Sequence, residues 1–230
     1  TKITSAGTYN ALGKPQNTIY VSKGQDGHYD TISEALTAIS TASSSNPFTI
    51  KVFPGVYDEA ITMEEYVDIV GVGGSQTTYI TQVDNTVITG SSSSTLRGFT
   101  LSLTGDTTGK PVVSAVGTSS PRLEDLVITG TAGVSTGVSV ATGSPVITRV
   151  NINSVSAGVV HTGDSGSTDL SYSTVTASTD DIIINNAGGT VKSYYNRLLG
   201  AGNHYNTVVG TTLAAMADTT STATESVLGV

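Results

Sequence analysis

Two interleaved series of apolar strand patterns repeat through most of this sequence, and they constrain the fold more than any other feature. One series starts at Leu96, Leu123, Ile147, Leu170 and Val191, with spacings of about 27, 24, 23 and 21 residues. The second lies between these blocks, at Ile61, Val87, Val113, Val138, Val159, Ile183 and Val208. A shared period of about 24 residues predicts an all-β solenoid, in which each coil pairs with its neighbours through parallel strands.

Alternation within the first series predicts which side chains fill the interior. One inward column comprises Phe99, Leu126 and Val150, and the next comprises Leu101, Ile128, Ile152 and Val175. The third position of each block faces outward, at Gly98, Asp125, Arg149, Tyr172 and Ser193. The fifth position also faces outward, at Thr100, Val127, Asn151, Thr174 and Tyr195. The seventh does the same, at Ser102, Thr129, Asn153, Thr176 and Arg197.

The composition excludes several classes of function. Charged residues make up 12% of the chain and the net charge is −8, so the sequence lacks the basic stripe that nucleic-acid binding requires. The absence of cysteine excludes disulfides and thiolate metal sites. No apolar run approaches the length of a membrane span. We therefore expect no nucleic-acid partner, no membrane segment, no cofactor and no metal.

The chain divides into three predicted segments. Residues 1–18 show no sustained period and are interpreted as an arm or linker, and residues 19–210 form the β-helix. Within it, "TISEALTAIS" predicts one capping α-helix at about residues 31–40, because Thr31 and Glu34 have capping-box spacing. Residues 211–230 are predicted to be a tail that covers the last coil or docks on a partner.

Three stretches carry a resemblance to a known family. "IYVSKGQDGHYDTISEALTAI", "FTIKVFPGVYDEAITM" and "VDIVGVGGSQTTYIT" together resemble the amino-terminal part of pectin methylesterases. The resemblance covers about Ile19 to Thr104. It implies that the coil is a right-handed parallel β-helix of the pectin-lyase-like type.

The catalytic segments of that family have no counterpart in this chain. The stretch that matches the first glutamine segment reads "GKPVVSAV", and the one that matches the Gln-Asp pair reads "GTAGVSTGVSV". The stretch that matches the nucleophile segment reads "SVSAGVVHTG", and the chain has no tryptophan. Ester hydrolysis needs a nucleophile, a proton donor and an oxyanion donor close together. We therefore predict no catalytic residues and expect that the chain is not an esterase.

Other motifs are predicted to be structural. "GDSGSTD" (Gly163 to Asp169) lacks the final bidentate Glu of a calcium loop and is interpreted as a turn. His28, His161 and His204 are expected at the surface or in turns. Five acidic residues are expected to form a solvated rim, namely Asp58, Glu59, Glu64, Glu65 and Asp68.

One outward face is the candidate site. It comprises Asp125, Arg149, Tyr172, Asn151, Asn153 and Tyr195, and Asp125 and Arg149 are expected to form a salt bridge between coils. The face is predicted to contact a glycan.

The expected function is that of a non-enzymatic structural or host-attachment module of a virion, since the chain is similar in style to modules of phage tail spikes and fibres. The alternatives are a carbohydrate-active esterase or lyase and a cellular carbohydrate-binding or adhesin domain. The expected partners are other virion or surface subunits, with a homotrimer as the first choice, and a polysaccharide. The expected location is the virion surface or the cell exterior.

Overall fold

The chain forms a parallel β-solenoid of about seven turns, with almost no helix. The computed structural model describes residues 17–24, 29–105, 108–131, 134–185, 188–207, 212–216 and 218–220. Residues 1–16 of the predicted arm, His28 and residues 221–230 of the predicted tail lie outside the described residues. Neighbouring strands pair in parallel in both sheets, which confirms the predicted parallel β-helix.

One sheet has nine strands, which we call the first ladder. In spatial order its strands are β1 (Thr18–Val21), β2 (Phe48–Val52), β5 (Val67–Gly71), β8 (Thr95–Arg97), β11 (Arg122–Glu124), β14 (Val146–Thr148), β16 (Ser167–Ser171), β18 (Thr190–Tyr194) and β21 (Thr212–Met216). Each coil contributes one strand, so this order follows the chain.

The other sheet has thirteen strands and contains two ladders that share the long strands β15 (Asn151–His161) and β17 (Thr174–Ile184). The second ladder comprises β3 (Gly55–Asp58), β6 (Thr78–Val83), β9 (Thr100–Thr104), β12 (Val127–Thr129), the starts of β15 and β17, β19 (Arg197–Leu198) and β22 (Thr219–Thr220). The third ladder comprises β4 (Ile61–Thr62), β7 (Ile88–Thr89), β10 (Pro111–Ala115), β13 (Thr136–Val140), the ends of β15 and β17, and β20 (Asn203–Thr207).

A complete coil therefore contributes to three ladders, whereas the sequence pattern showed two series. Each block of the first predicted series spans two strands, one from the first ladder and one from the second, with a corner between them. In the block from Leu96, for example, β8 ends at Arg97, Gly98 turns the chain with φ of 80°, and β9 begins at Thr100. A single residue in the left-handed region redirects the chain without adding length, so the corner is hidden in an apparently continuous strand pattern.

The predicted core columns are confirmed. Phe99, Leu126 and Val150 are at most 2% exposed, and the neighbouring column of Leu101, Ile128, Ile152 and Val175 is completely buried. Strand pairing places Leu101, Ile128 and Ile152 directly above one another. Aliphatic side chains of similar size thus fill successive layers at the close packing that protein interiors require.

Helix α1 (Ile32–Thr37) lies near the first coil, and six residues make it shorter than the predicted span of residues 31–40. The Thr31 side chain accepts a hydrogen bond from the backbone N–H of Glu34 at 3.1 Å, as the capping-box spacing predicted. Ile32, Ala35 and Leu36 are buried in the hydrophobic core. The role of α1 as a cap for the end of the solenoid stays a prediction.

The prediction of a solvated acidic rim is wrong for two of its five residues. The Glu59 carboxylate accepts hydrogen bonds from the backbone N–H groups of Ile32 and Ser33 at 2.8 and 2.9 Å. Asp68 accepts a hydrogen bond from the backbone N–H of Thr95, one coil away, at 2.8 Å. Both carboxylates satisfy backbone donors that would otherwise lack partners.

Part of the predicted tail continues the solenoid. Strand β21 pairs with β18, and β22 pairs with β19, so both sheets extend past residue 210. Leu213 packs partly buried against the hydrophobic core. The predicted covering or docking role of residues 211–230 stays a prediction.

Candidate functional site

The candidate site lies along the corner between the first and second ladders. Five residues on successive coils form this corner column, each with φ between 51° and 80°: Gly98, Asp125, Arg149, Tyr172 and Tyr195. Four of them are not glycine, although the left-handed region disfavours residues with a Cβ. Hydrogen bonds between coils hold the conformation, for example from Asp125 N to Thr148 O at 3.2 Å and from Arg149 N to Ser171 O at 3.1 Å.

The predicted salt bridge between coils is confirmed. Arg149 Nε and Nη2 donate to Asp125 Oδ1 and Oδ2 at 2.6 and 3.0 Å, which is a bidentate pair. The hydrogen bond from Arg149 holds the pKa of Asp125 below its ordinary value, and Asp125 raises the pKa of Arg149. Both side chains are about half exposed, so water screens the pair. The pair orients the two side chains more than it stabilises the fold.

Tyr172 and Tyr195 form a stacked pair at the next two positions of the column. Their ring centroids lie 5.3 Å apart and the planes differ by 7°. The two residues are 62% and 51% exposed, so part of each ring is open to solvent. Their backbones are adjacent because Tyr172 N donates to Tyr194 O at 3.1 Å. The pair is an exposed aromatic cluster that spans two coils.

The structure corrects the register of the coil that begins with β18. Ser193 was predicted to face outward beside Tyr172, but it pairs with Leu170 and is completely buried. Tyr195, which was predicted for the next outward column, instead occupies the corner. The pattern slipped by two residues because the inward position there is a serine instead of an aliphatic residue.

The remaining predicted residues lie beside the corner on the second ladder. Asn151 is exposed and stands between Val127 and Thr174, and Asn153 is half-buried between Thr129 and Thr176. Arg197 extends the Asn151 column beside Thr174. The structure thus brings the six predicted residues onto one side of the solenoid. The prediction that this side contacts a glycan stays a prediction.

A cleft opens at the other end of the corner column. It has a volume of about 430 Å³ and is lined by Lys51, Val70, Gly71, Val72, Gly74, Arg97, Gly98 and Asp125. The corner residue of this coil is glycine, while later coils carry side chains at the same position. A Cβ on Gly98 would lie 2.8 Å from Gly71 O, so the backbones of successive coils are too close for another residue.

Two histidines predicted at the surface or in turns are completely buried, so that prediction is wrong for them. His161 ends β15, and its Nδ1 lies 3.0 Å from Thr168 Oγ1. His204 lies in β20 with Nδ1 2.7 Å from Asp181 Oδ2. Asp181 also accepts hydrogen bonds from the backbone N–H groups of Ala177 and Gly200, at 3.1 and 3.0 Å. These groups hold the last coils together and are inaccessible to a ligand.

Sequence reasoning also missed a buried polar network. The inward column of Phe99, Leu126 and Val150 continues on later coils with Ser173 and Asn196, which are at most 3% exposed. Ser173 N donates to Asn196 Oδ1 at 2.8 Å, and Asn196 N donates to Asp218 Oδ1 at 2.8 Å. The interruption of the aliphatic column at Ser173 was the sequence signal for this network.

The stretches that match the family's catalytic segments form part of the third ladder. They lie on β10, β13 and the end of β15. None of the three contains Asp, Glu, Asn or Gln. A carboxylate nucleophile and an amide oxyanion donor are therefore absent from these stretches, although two residues of the second, 132–133, lie outside the described residues.

The other sequence motifs add no site. The first half of "GDSGSTD" forms the predicted turn between β15 and β16, whereas its last three residues already belong to β16. Within the described ranges, no group of three or more His, Cys, Asp or Glu side chains is placed to hold a metal ion. No helix in the described part of the chain is long and apolar enough to cross a membrane.

Comparison with known proteins agrees with the fold. A pectin methylesterase from Aspergillus niger aligns with a TM-score of 0.61 and 12% identity over 97% of this chain and 93% of the enzyme. The pectin methylesterase PemA from Erwinia chrysanthemi aligns with a TM-score of 0.55 and 12% identity, over 96% and 92% of the two chains. The carrot enzyme aligns with a TM-score of 0.57 and 15% identity, over 90% and 83%. A search of curated proteins finds no match.

The solenoid and its structural neighbours define the class: the chain has a pectin-lyase-like parallel β-helix. The family model for pectinesterase matches residues 18–144, which is more than half of the sequence. The chain therefore belongs to the pectinesterase family.

Proposed function

We propose that this chain is a non-catalytic carbohydrate-binding module that attaches a virion or a cell to a surface polysaccharide. The stacked pair of Tyr172 and Tyr195 carries this proposal. The C–H face of a pyranose ring packs well against aromatic side chains, and the two exposed tyrosines offer such a contact on successive coils. Exposed apolar surface of this kind in a folded protein marks an interaction site.

The polar surface beside the tyrosines supports the same function. Asn151, Thr174 and Arg197 occupy successive coils next to the corner, and each offers hydrogen-bonding groups to a sugar hydroxyl. Successive strands lie about 4.8 Å apart, a spacing comparable to one sugar unit. A polysaccharide that runs parallel to the axis would therefore meet equivalent groups on each coil.

A second candidate is an esterase, which the family match favours. The composition of the stretches that match the catalytic segments argues against it, because they contain no carboxylate and no carboxamide. The chain thus combines the long surface of a solenoid with matching stretches that lack a carboxylate nucleophile and an amide oxyanion donor. This combination suits a module that attaches to a polysaccharide without cleaving it.

The setting of the module is part of the proposal. A parallel β-ladder places few backbone amides in loose segments, so it withstands proteases on a virion or outside a cell. A homotrimer with other surface subunits as partners is the assembly we propose. Size-exclusion chromatography with light scattering tests the trimer, and a monomer at micromolar concentration would contradict it.

A glycan array tests the carbohydrate-binding proposal. The wild-type protein is compared with the double variant Tyr172→Ala/Tyr195→Ala, and Tyr66→Ala is the matched control. Tyr66 also has a left-handed backbone conformation, with φ of 62°, but it precedes β5 at a different corner. We expect wild type and Tyr66→Ala to bind the same polysaccharides and the double variant to lose at least about tenfold in affinity. Equal binding by all three proteins would overturn the proposal.

A further inference from the structure

Asp180, in β17, is a buried acidic residue that lacks the partners which burial normally requires. The residue is 5% exposed, and its Oδ1 is buried without a hydrogen-bond partner among the described residues. Its Oδ2 accepts one hydrogen bond, from Asn206 Nδ2 at 3.3 Å, which is longer than usual for such a bond. No Lys, Arg or His in the described part of the chain forms a salt bridge with it. This carboxylate is therefore almost unpaired.

The adjacent residue, Asp181, shows how a buried carboxylate of this coil can be satisfied. Asp181 accepts hydrogen bonds from the backbone N–H groups of Ala177 and Gly200, and its Oδ2 lies 2.7 Å from His204 Nδ1. Transfer of a charged group from water without such partners costs free energy. A buried polar atom that has no partner in a native protein thus points to a bound water or ion. A cation would also balance the charge of Asp180.

The strand register places further oxygen ligands beside Asp180. On the next coil its register partner is Asn203, so the two side chains lie on the same face, with their backbones about 4.8 Å apart. Asn206, three positions further along β20, already contacts the Asp180 carboxylate. On the previous coil the register partner is Ala157, whose methyl group offers the carboxylate no donor. One carboxylate and two carboxamides therefore meet on the third ladder.

These groups match the ligand preference of a hard divalent cation. Calcium takes six to eight oxygen ligands from carboxylates, Asn carboxamides, carbonyls and water, in a flexible geometry. Magnesium demands a strict octahedron and gives up its water reluctantly, so it suits such a site less well. A half-turn of the Asn206 carboxamide presents its oxygen to the cation in place of its nitrogen. Because Asn203 and Asn206 are only half-buried, water can complete the coordination.

We propose that Asp180, Asn203 and Asn206 bind a calcium ion on the third ladder. The site has one carboxylate, so we expect a dissociation constant of about 10⁻⁴–10⁻³ M, in the range of extracellular modules. Its two carboxamides distinguish it from a cluster of His, Cys, Asp or Glu, and its residues come from two coils. The inference is independent of the proposed function, since Tyr172 and Tyr195 lie at the corner between the first and second ladders.

The test is thermal unfolding of protein that has been treated with a chelator, with calcium chloride added up to about 10 mM. Magnesium chloride and sodium chloride at the same ionic strength control for screening. Wild type is compared with Asp180→Asn, which keeps the shape of the side chain and removes its charge. The matched control is Asp58→Asn, because Asp58 is an exposed carboxylate on the second ladder.

We expect calcium to raise the Tm of wild type and of Asp58→Asn by about 2 °C or more, since a ligand that binds only the folded chain stabilises it. The Tm of Asp180→Asn should not depend on calcium. Asn203→Ala keeps the carboxylate, and it should weaken calcium binding by at least about threefold in isothermal titration calorimetry. This second variant keeps the test valid if Asp180→Asn does not fold, and circular dichroism checks each protein.

A wild-type Tm that does not respond to calcium, or an equal response in Asp180→Asn, overturns the inference. An equal response of wild type to magnesium or sodium also overturns it, because screening of the acidic chain would then explain the shift. The glycan array with Tyr172→Ala/Tyr195→Ala tests the proposed function separately, so the failure of one leaves the other standing.

Discussion

The Glu59 carboxylate binds the amino end of helix α1 by accepting a hydrogen bond from the backbone N–H of Ile32 at 2.8 Å. The same carboxylate accepts from the backbone N–H and the hydroxyl of Ser33, at 2.9 and 2.6 Å. The link joins two segments 27 residues apart in the chain. It explains why the stretch "FPGVYDEAI" combines a buried tyrosine with an acidic residue: Tyr57 is completely buried, and Glu59 anchors the helix.

Replacement of Glu59 by alanine is expected to lower the free energy of unfolding by about 1–3 kcal/mol, since three donors lose a charged acceptor. Chemical denaturation measures the change. Glu65→Ala is the control, because Glu65 is exposed and should change stability by less than about 0.5 kcal/mol. An equal effect of both substitutions would show that Glu59 has no anchoring role.

Replacement of Ile152 by alanine is expected to destabilise the protein by about 2–5 kcal/mol, because it leaves a cavity between Ile128 and Val175 in the core. Asn153→Ala, on the outward side of the same strand, is the control and should have a small effect. Similar losses at both positions would contradict the inward and outward assignment.

Replacement of Asn196 by alanine is expected to destabilise the last coils by about 1–3 kcal/mol, because Ser173 N, Leu170 O and Ser193 Oγ lose a buried side-chain partner. Hydrogen exchange of the Ser173 amide should rise more than exchange in the first coils. The exposed Asn151→Ala variant serves as the comparison. Unchanged exchange at Ser173 would show that the network contributes nothing to this end.

The contact between Asp125 and Arg149 predicts a small pH dependence of stability. Because the folded pKa of Asp125 lies below its unfolded value of about 3.9, the stabilising contribution is present above that value and is lost as the pH falls through the folded pKa. NMR titration should show the Asp125 pKa rise towards the ordinary range in Arg149→Ala. The variant should cost less than about 1 kcal/mol at pH 7. An unchanged Asp125 pKa in the variant would refute the assignment of its cause.

Methanol release from methyl-esterified pectin is expected to stay at the level of the buffer, since the stretches of the third ladder that match the catalytic segments lack a nucleophile. The double variant Asp125→Ala/Arg149→Ala should give the same result. Release by wild type above the buffer level would favour the esterase candidate.

The sequence predicted the parts of the fold that repeat. Phe99, Leu126 and Val150 were assigned to the core because their spacing matches the coil and their side chains are apolar, and the structure places them there. The prediction failed where a polar residue entered the same column. Ser173 and Asn196 are buried because other coils satisfy their hydrogen bonds, and a sequence pattern of apolar residues carries no information about such partners.

The candidate site could be predicted in part for the same reason. Asp125, Arg149 and Tyr172 fall at one repeat position, so their side-by-side arrangement follows from the period. The stacking of Tyr195 on Tyr172 could not be predicted, because it depends on the correct register of the last coil. Contacts over long sequence distances, such as Glu59 with Ile32 or Asp181 with His204, likewise need the folded chain.

Affinity electrophoresis in gels that contain surface polysaccharides tests most directly the claim that the tyrosine pair binds carbohydrate. Wild type, Tyr66→Ala and Tyr172→Ala/Tyr195→Ala run side by side in each gel and in a gel without polysaccharide. The account predicts that at least one polysaccharide retards wild type and Tyr66→Ala equally and leaves the double variant unretarded. Retardation of all three proteins to the same extent, or of none in any gel, would contradict it.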